Sequence, residues 1–167
     1  MEEKHMEIWD IYDEHRHITG RTIARGEPFK DGEYYVCSEV WVRNSKGEFL
    51  ITKRHPDKKF GGFWEFTGGG TLSGENTLSS IRRELFEETG ILADESEFRF
   101  IATNIRKNYF QDIFYLEKDV EIEDLTLSPL ETTDAKWVKE KTLRTLYESG
   151  EFVPTVWKRF EKFSPLL

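Results

Sequence analysis

Gly69-Gly70-Thr71-Leu72-Ser73-Gly74-Glu75-Asn76-Thr77-Leu78-Ser79-Ser80-Ile81-Arg82-Arg83-Glu84-Leu85-Phe86-Glu87-Glu88-Thr89-Gly90-Ile91 is the stretch whose reading decides the fold. A glycine-rich loop feeds a helix with signals at both ends: Asn76 suits the N-cap and Gly90 suits the C′ position. Between them Leu78, Ile81 and Leu85 recur at i, i+3 and i+7, which predicts one apolar stripe. Glu84, Glu87 and Glu88 gather on a second face, roughly 105° around the helix.

That acidic face is unusual. Glu84 lies i,i+3 to Glu87 and i,i+4 to Glu88, and each like-charge pair costs about 0.2–0.5 kcal/mol. All three sit near the helix C-terminus, where the macrodipole disfavours anions by about 0.3–1 kcal/mol each. The sum is about 2 kcal/mol against a domain stability of about 5–15. Arg83, i,i+4 to Glu87, offsets part of it, and the last turn has no Lys or Arg. A divalent cation would remove the penalty, and carboxylate oxygens are what Mg²⁺ takes. The competing reading is a solvated acidic face.

The spacing is Gly69, five residues, Glu75, seven residues, then Arg83-Glu84-Leu85-x-Glu87-Glu88-x-Gly90-Ile91. It resembles the Nudix box at every defined position. The resemblance implies a Nudix-type α/β/α sandwich with a mixed β-sheet, and a loop-helix-loop that binds Mg²⁺ or Mn²⁺. It also implies hydrolysis of a diphosphate linked to another group. Carried over residue by residue, Glu84, Glu87 and Glu88 are the metal-facing carboxylates and Gly69 a backbone ligand. Glu84 or Glu87 doubles as the base that activates water, and Glu131, outside the box, is a further candidate. Glu75 and Arg83 hold the loop against the helix, and Gly90 ends it. Arg54, at a strand end, is the candidate for the substrate phosphates; its plainer reading is a surface cation.

Composition bounds the rest. The 167 residues read as one domain, 1–167, with an N-terminal extension over 1–30 and the box over 69–91. Five Trp, six Tyr and thirteen Phe supply core volume although only 37% of residues are hydrophobic. A net charge of −8 argues against non-specific nucleic-acid binding. One cysteine, Cys37, excludes an intramolecular disulfide framework and suits a reducing compartment. No apolar run reaches membrane-spanning length, and the opening Met-Glu-Glu-Lys-His lacks a signal-peptide core. These features predict a cytoplasmic chain; the resemblance implies that it acts on a small-molecule diphosphate, with a homodimer left open.

Along the chain, Ile8 to Ala24 reads as a strand, a polar turn carrying His15 and His17, and a return broken at Thr19-Gly20. Tyr34 to Val42 and Glu48 to Arg54 read as partner strands joined by Asn44-Ser45-Lys46-Gly47. Phe98 to Ile105 and Asp112 to Glu117 read as a second pair, with Arg106 to Tyr109 connecting them. Tyr109 and Phe110 either pack or stack on a planar ligand. Val120 to Thr126 reads as an exposed edge strand, Ala135 to Val138 as a last strand, and the segments from Lys141 and Pro154 as closing helices.

The Trp-Asp-Ile-Tyr-Asp-Glu opening resembles the extension on the isopentenyl-diphosphate-isomerase-like branch of the superfamily. The cysteine and histidines that an isomerase would need near Gly68 and Tyr34 to Ser38 are missing. The other alternative is a diphosphate-binding module without turnover.

Overall fold

The computed structural model describes residues 5–167, so residues 1–4 of the predicted extension, and of the start read for a signal segment, lie outside the described residues. In chain order the strands are β1 (Ile8–Tyr12), β2 (Ile18–Ala24), β3 (Tyr35–Arg43), β4 (Phe49–Arg54), β5 (Trp64–Glu65) and β6 (Thr67–Gly70). Helix α1 (Thr77–Thr89) is followed by β7 (Arg99–Arg106), β8 (Tyr109–Glu117) and β9 (Thr132–Val138). Helices α2 (Glu140–Glu148) and α3 (Pro154–Phe163) follow.

β3 organises the mixed sheet. Its residues alternate: Val40 and Val42 enter the core under α1, while Trp41 enters the core under α2 and α3. On one side it pairs in parallel with β8 along its whole length, from Tyr35↔Tyr109 to Arg43↔Glu117. On the other it meets β4 only at Arg43↔Phe49 and then diverges. β6 fills the opening against β3, and β5 fills it against β4. β9 closes the β4 edge and β7 closes the β8 edge, both antiparallel.

The two faces are covered as an α/β/α sandwich. Ile81 and Leu85 of α1 are fully buried on one face. On the other, Phe160 of α3 meets Trp41 edge-on at 5.0 Å and Phe49 at 5.2 Å. Such aromatic pairs add about 0.5–1.5 kcal/mol beyond area burial.

The N-terminal hairpin β1–β2 docks across the β3 end of the sheet. Trp9 stacks on Tyr35 at 4.6 Å, and Phe29 stacks on the same ring at 5.2 Å. Arg16, at the hairpin turn, grips the buried Asp112 of β8 through two bonds of 2.8 and 2.5 Å. Asp112 also accepts from the hydroxyls of Thr77 and Thr103, so one carboxylate ties the hairpin, α1 and β7 together.

Several expectations need correction. Strands β3 and β4 form a hairpin only at its turn, because β6 rather than β4 holds Cys37 to Val40. β2 does not break at Thr19-Gly20; it runs from Ile18 and absorbs Gly20, at φ +87°, where the register against β1 shifts. Residues 120–126 are not a strand. Val120, Ile122 and Leu125 pack irregularly over the α1-side core, with one short 3₁₀ turn at Ile122–Asp124. The Arg106–Tyr109 connection shortens to Lys107 and Asn108 as the flanking strands extend. Tyr109 packs on Tyr35, and Phe110 stacks on Tyr34.

Candidate active site

The cleft lies where β3 and β4 part and the glycines of β6 face α1. Its cavity measures about 660 Å³. Helix α1 is set in register by its ends. The Asn76 side chain accepts from Ser79 N–H at 2.8 Å, and Gly90 stops the helix at φ +76°, donating to Phe86 C=O at 2.8 Å. This register puts Glu84 and Glu88 inward, 9% and 5% exposed, and leaves Glu87 at the rim. The solvated-face reading therefore fails for two of the three glutamates.

Each neighbour of these carboxylates has a physical role. A side chain at Gly69 would bring its Cβ to 2.4 Å from Glu84 Cδ, so only a bare backbone lets β6 pass. Arg83 is the local counter-charge. It donates to Glu75 Oε1 at 2.7 Å, Glu84 Oε1 at 2.9 Å, Glu87 Oε2 at 3.2 Å and Gly70 C=O at 3.3 Å. Glu75 in turn accepts from Leu72 N–H at 3.1 Å, pinning the glycine-rich loop to the helix.

Further acidic residues reach the cleft from outside the helix, Glu131 and Glu65 among them. Glu131, in the loop before β9, reaches the cleft and pairs with Lys58. Glu65 of β5 is one that sequence reasoning missed. Trp64 and Phe66 point into the core under α3, so the residue between them must face α1. That alternation was available as a signal. Arg54 donates to Glu65 Oε2 at 2.7 Å and to Lys59 C=O at 2.7 Å, so it lines the cleft as the partner of a carboxylate.

Burial drives the electrostatics. It pushes the Glu84 carboxyl up to about 7, against the opposing pull of Arg83 and with added push from Glu87. Burial also raises Glu88 well above the ordinary range, helped by Glu65 and Glu84, and it raises Glu65 against Arg54. The buried Glu88 Oε2 has no hydrogen-bond partner among the described residues. An orphaned carboxylate oxygen in a cluster of raised carboxyls and backbone carbonyls is a donor set for a hard divalent cation. The carboxylates are gathered rather than closed: among the described residues, no three His, Cys, Asp or Glu side chains converge at ion-ligating distance. Glu84 is turned onto Arg83.

His15 and His17 stay in the exposed hairpin turn, far from this cluster. Cys37 lines the cleft floor, but burial pushes its thiol up to about 12, so it is protonated and poorly nucleophilic at neutral pH.

A glycine strand laid against buried glutamates, on an α/β/α sandwich, defines the class that carries the Nudix fold. A family model described as the NUDIX domain matches residues 36–157. An uncharacterised Nudix hydrolase of Listeria monocytogenes is 38% identical over 151 residues, covering 89% of each chain. An RNA pyrophosphohydrolase of Bartonella clarridgeiae is 27% identical over 147 residues, covering 72% of this chain and 85% of that one. A solved structure from Deinococcus radiodurans superposes with a TM-score of 0.74 at 23% identity, covering 88% of this chain and 92% of that one. The chain belongs to the Nudix hydrolase family.

Proposed function

We propose that the chain is an Mg²⁺- or Mn²⁺-dependent pyrophosphohydrolase. Its substrate is a nucleoside diphosphate linked to another group or a related small organic diphosphate. The observation that carries this reading is the buried Glu84–Glu88 pair: Glu84 lies against the bare backbone of Gly69, and Glu88 Oε2 has no hydrogen-bond partner among the described residues.

Glu84, Glu87 and Glu88, with the Gly69 carbonyl, would hold the cation. When bound, it would neutralise phosphate charge and acidify a coordinated water. The protein's own work is positional. Arg83 fixes Glu84 and, through Glu75, the loop that carries the glycines. Glu131, outside the helix and held by Lys58, is assigned to take the proton as water oxygen bonds to phosphorus and the anhydride P–O bond breaks. Glu84 and Glu87 remain the alternative bases. Arg54 keeps Glu65 paired beneath the site and stays a candidate for contact with the phosphates. A single reduced cysteine suits a cytoplasmic setting.

The isomerase alternative has no support in the cleft: its one cysteine is a buried, protonated thiol. Incubation with a panel of diphosphate compounds is expected to give hydrolysis that needs Mg²⁺ or Mn²⁺ and stops with EDTA. Turnover in EDTA would overturn the metal assignment, and absence of turnover with every compound would favour a binding module. Conversion of isopentenyl diphosphate to its dimethylallyl isomer would restore the isomerase.

A further inference from the structure

Lys58 reaches into the carboxylate cluster from the loop between β4 and β5. The loop is built to hold it there. Lys58 N–H donates to His55 C=O at 3.0 Å, and Lys58 C=O accepts from Gly61 N–H at 2.8 Å. Arg54 Nε donates to Lys59 C=O at 2.7 Å. His55 N–H donates to Glu131 C=O at 3.0 Å, which fastens the loop to the segment that carries Glu131. Phe60 takes φ +56°, a strained left-handed conformation for an aromatic residue, and a Cβ on Gly61 would lie 2.2 Å from the Pro56 carbonyl oxygen.

From this frame the Lys58 ammonium donates to Glu131 Oε2, the two side chains being 16% and 23% exposed. Its charge reaches beyond that bond. Burial raises the Glu88 and Glu65 carboxyls, and the Lys58 charge pulls each of them back down. One tethered monovalent cation therefore faces three cleft carboxylates, Glu131, Glu65 and Glu88.

We propose that Lys58 is a built-in counter-cation that competes with the divalent ion for this cluster, so that the cleft loads metal only above a concentration its own lysine sets. The inference rests on the metal assignment above and adds how that site is regulated. The ammonium and the ion seek the same oxygens and repel each other inside a partly buried cleft, where charges are poorly screened. A tethered cation cannot be diluted away, so it opposes every approaching ion. The divalent ion carries twice the charge and takes carboxylate oxygen directly, so it prevails once it is concentrated enough. The flexible four-carbon stem lets the ammonium swing aside while the loop stays fastened.

The test is calorimetric titration of Mn²⁺ into the full chain, without substrate, for wild type, Lys58→Met, Lys58→Arg and Lys59→Met. Lys58→Met is expected to bind Mn²⁺ about tenfold more tightly than wild type. Lys58→Arg, which keeps the charge, is expected to stay within about threefold of wild type. Lys59→Met removes the same charge from the exposed neighbouring residue and is expected to change affinity less than about twofold. Equal or weaker binding by Lys58→Met overturns the proposal, as does Lys58→Arg binding as tightly as Lys58→Met or an equal gain in Lys59→Met. If Lys58→Met does not fold, Lys58→Gln is read in the same way. Binding by Lys58→Met with none by wild type supports the competition in its extreme form. No saturable binding by any of the four overturns both the competition and the metal assignment. If the Mn²⁺ affinities shift as expected and no diphosphate compound is hydrolysed, the competition stands and the hydrolase reading alone has failed.

Discussion

Glu88 carries more of the argument than any other side chain. Its carboxylate is buried and raised, and its Oε2 has no hydrogen-bond partner among the described residues, so its charged form costs stability. Glu88→Gln is therefore expected to lower kcat about 10²-fold or more while leaving the metal-free melting temperature unchanged or higher. A thermal melt beside a rate assay checks both halves. Glu84 gives a pH signature. Its folded-state pKa, about 7, is above the unfolded value, so its contribution to stability is present at low pH and lost as pH rises through 7. The upper bound on that loss is about 3 kcal/mol. The melting-temperature gain of Glu84→Gln over wild type, measured without metal, is expected to grow from pH 5 to pH 8. Mg²⁺ stabilisation of wild type should grow over the same range, because the ion takes the deprotonated form. At this scale the sequence told that three acids share a helix face and that the face is electrostatically strained. It did not tell which two are buried, because that depends on how α1 rolls against β6.

Helix α1 was legible from its caps and stripe, and its observed ends match Asn76 and Gly90. The glycines of β6 are a sharper case of position. Gly69→Ala would drive a Cβ into the Glu84 carboxylate, whereas Gly74, at φ +87°, has open space around its Cβ direction. Gly69→Ala is expected to cut activity at least tenfold with a modest stability loss. Gly74→Ala is expected to cost about 1 kcal/mol in denaturant melts, from backbone strain alone, with near-normal turnover. Equal activity in the two variants would remove Gly69 from the site. The elements misread from sequence share one cause. β3 and β4 alternate as a hairpin should, but β6 takes the β3 edge from Cys37 to Val40, a choice set by residues well beyond the turn. Residues 120–126 alternate too, yet their apolar side chains fit a curved path over the core and never pair with a strand.

At the scale of the whole molecule, the Arg16–Asp112 pair holds the N-terminal hairpin against the sheet across 96 residues of sequence. That separation is why the hairpin itself could be read in advance and its docking could not. Asp112 is held below the usual carboxylate range because bonds from Arg16, Thr77 and Thr103 outweigh its burial. Its stabilisation is present above the unfolded pKa and fades as pH falls through the folded one. Asp112→Asn is expected to cost about 2 kcal/mol at pH 7, discounted for the partly exposed arginine, and to narrow the difference from wild type in acid. Urea melts at pH 7 and pH 3.5 check it. The parallel β3–β8 ladder has a consequence for the chain's birth. The innermost strand leaves the ribosome early, and its lifelong neighbour emerges only after α1 and β7 have been made. Until then Val40, Trp41 and Val42 lack half their sheet, so the nascent protein must shelter a strand bound for the core before its parallel partner exists.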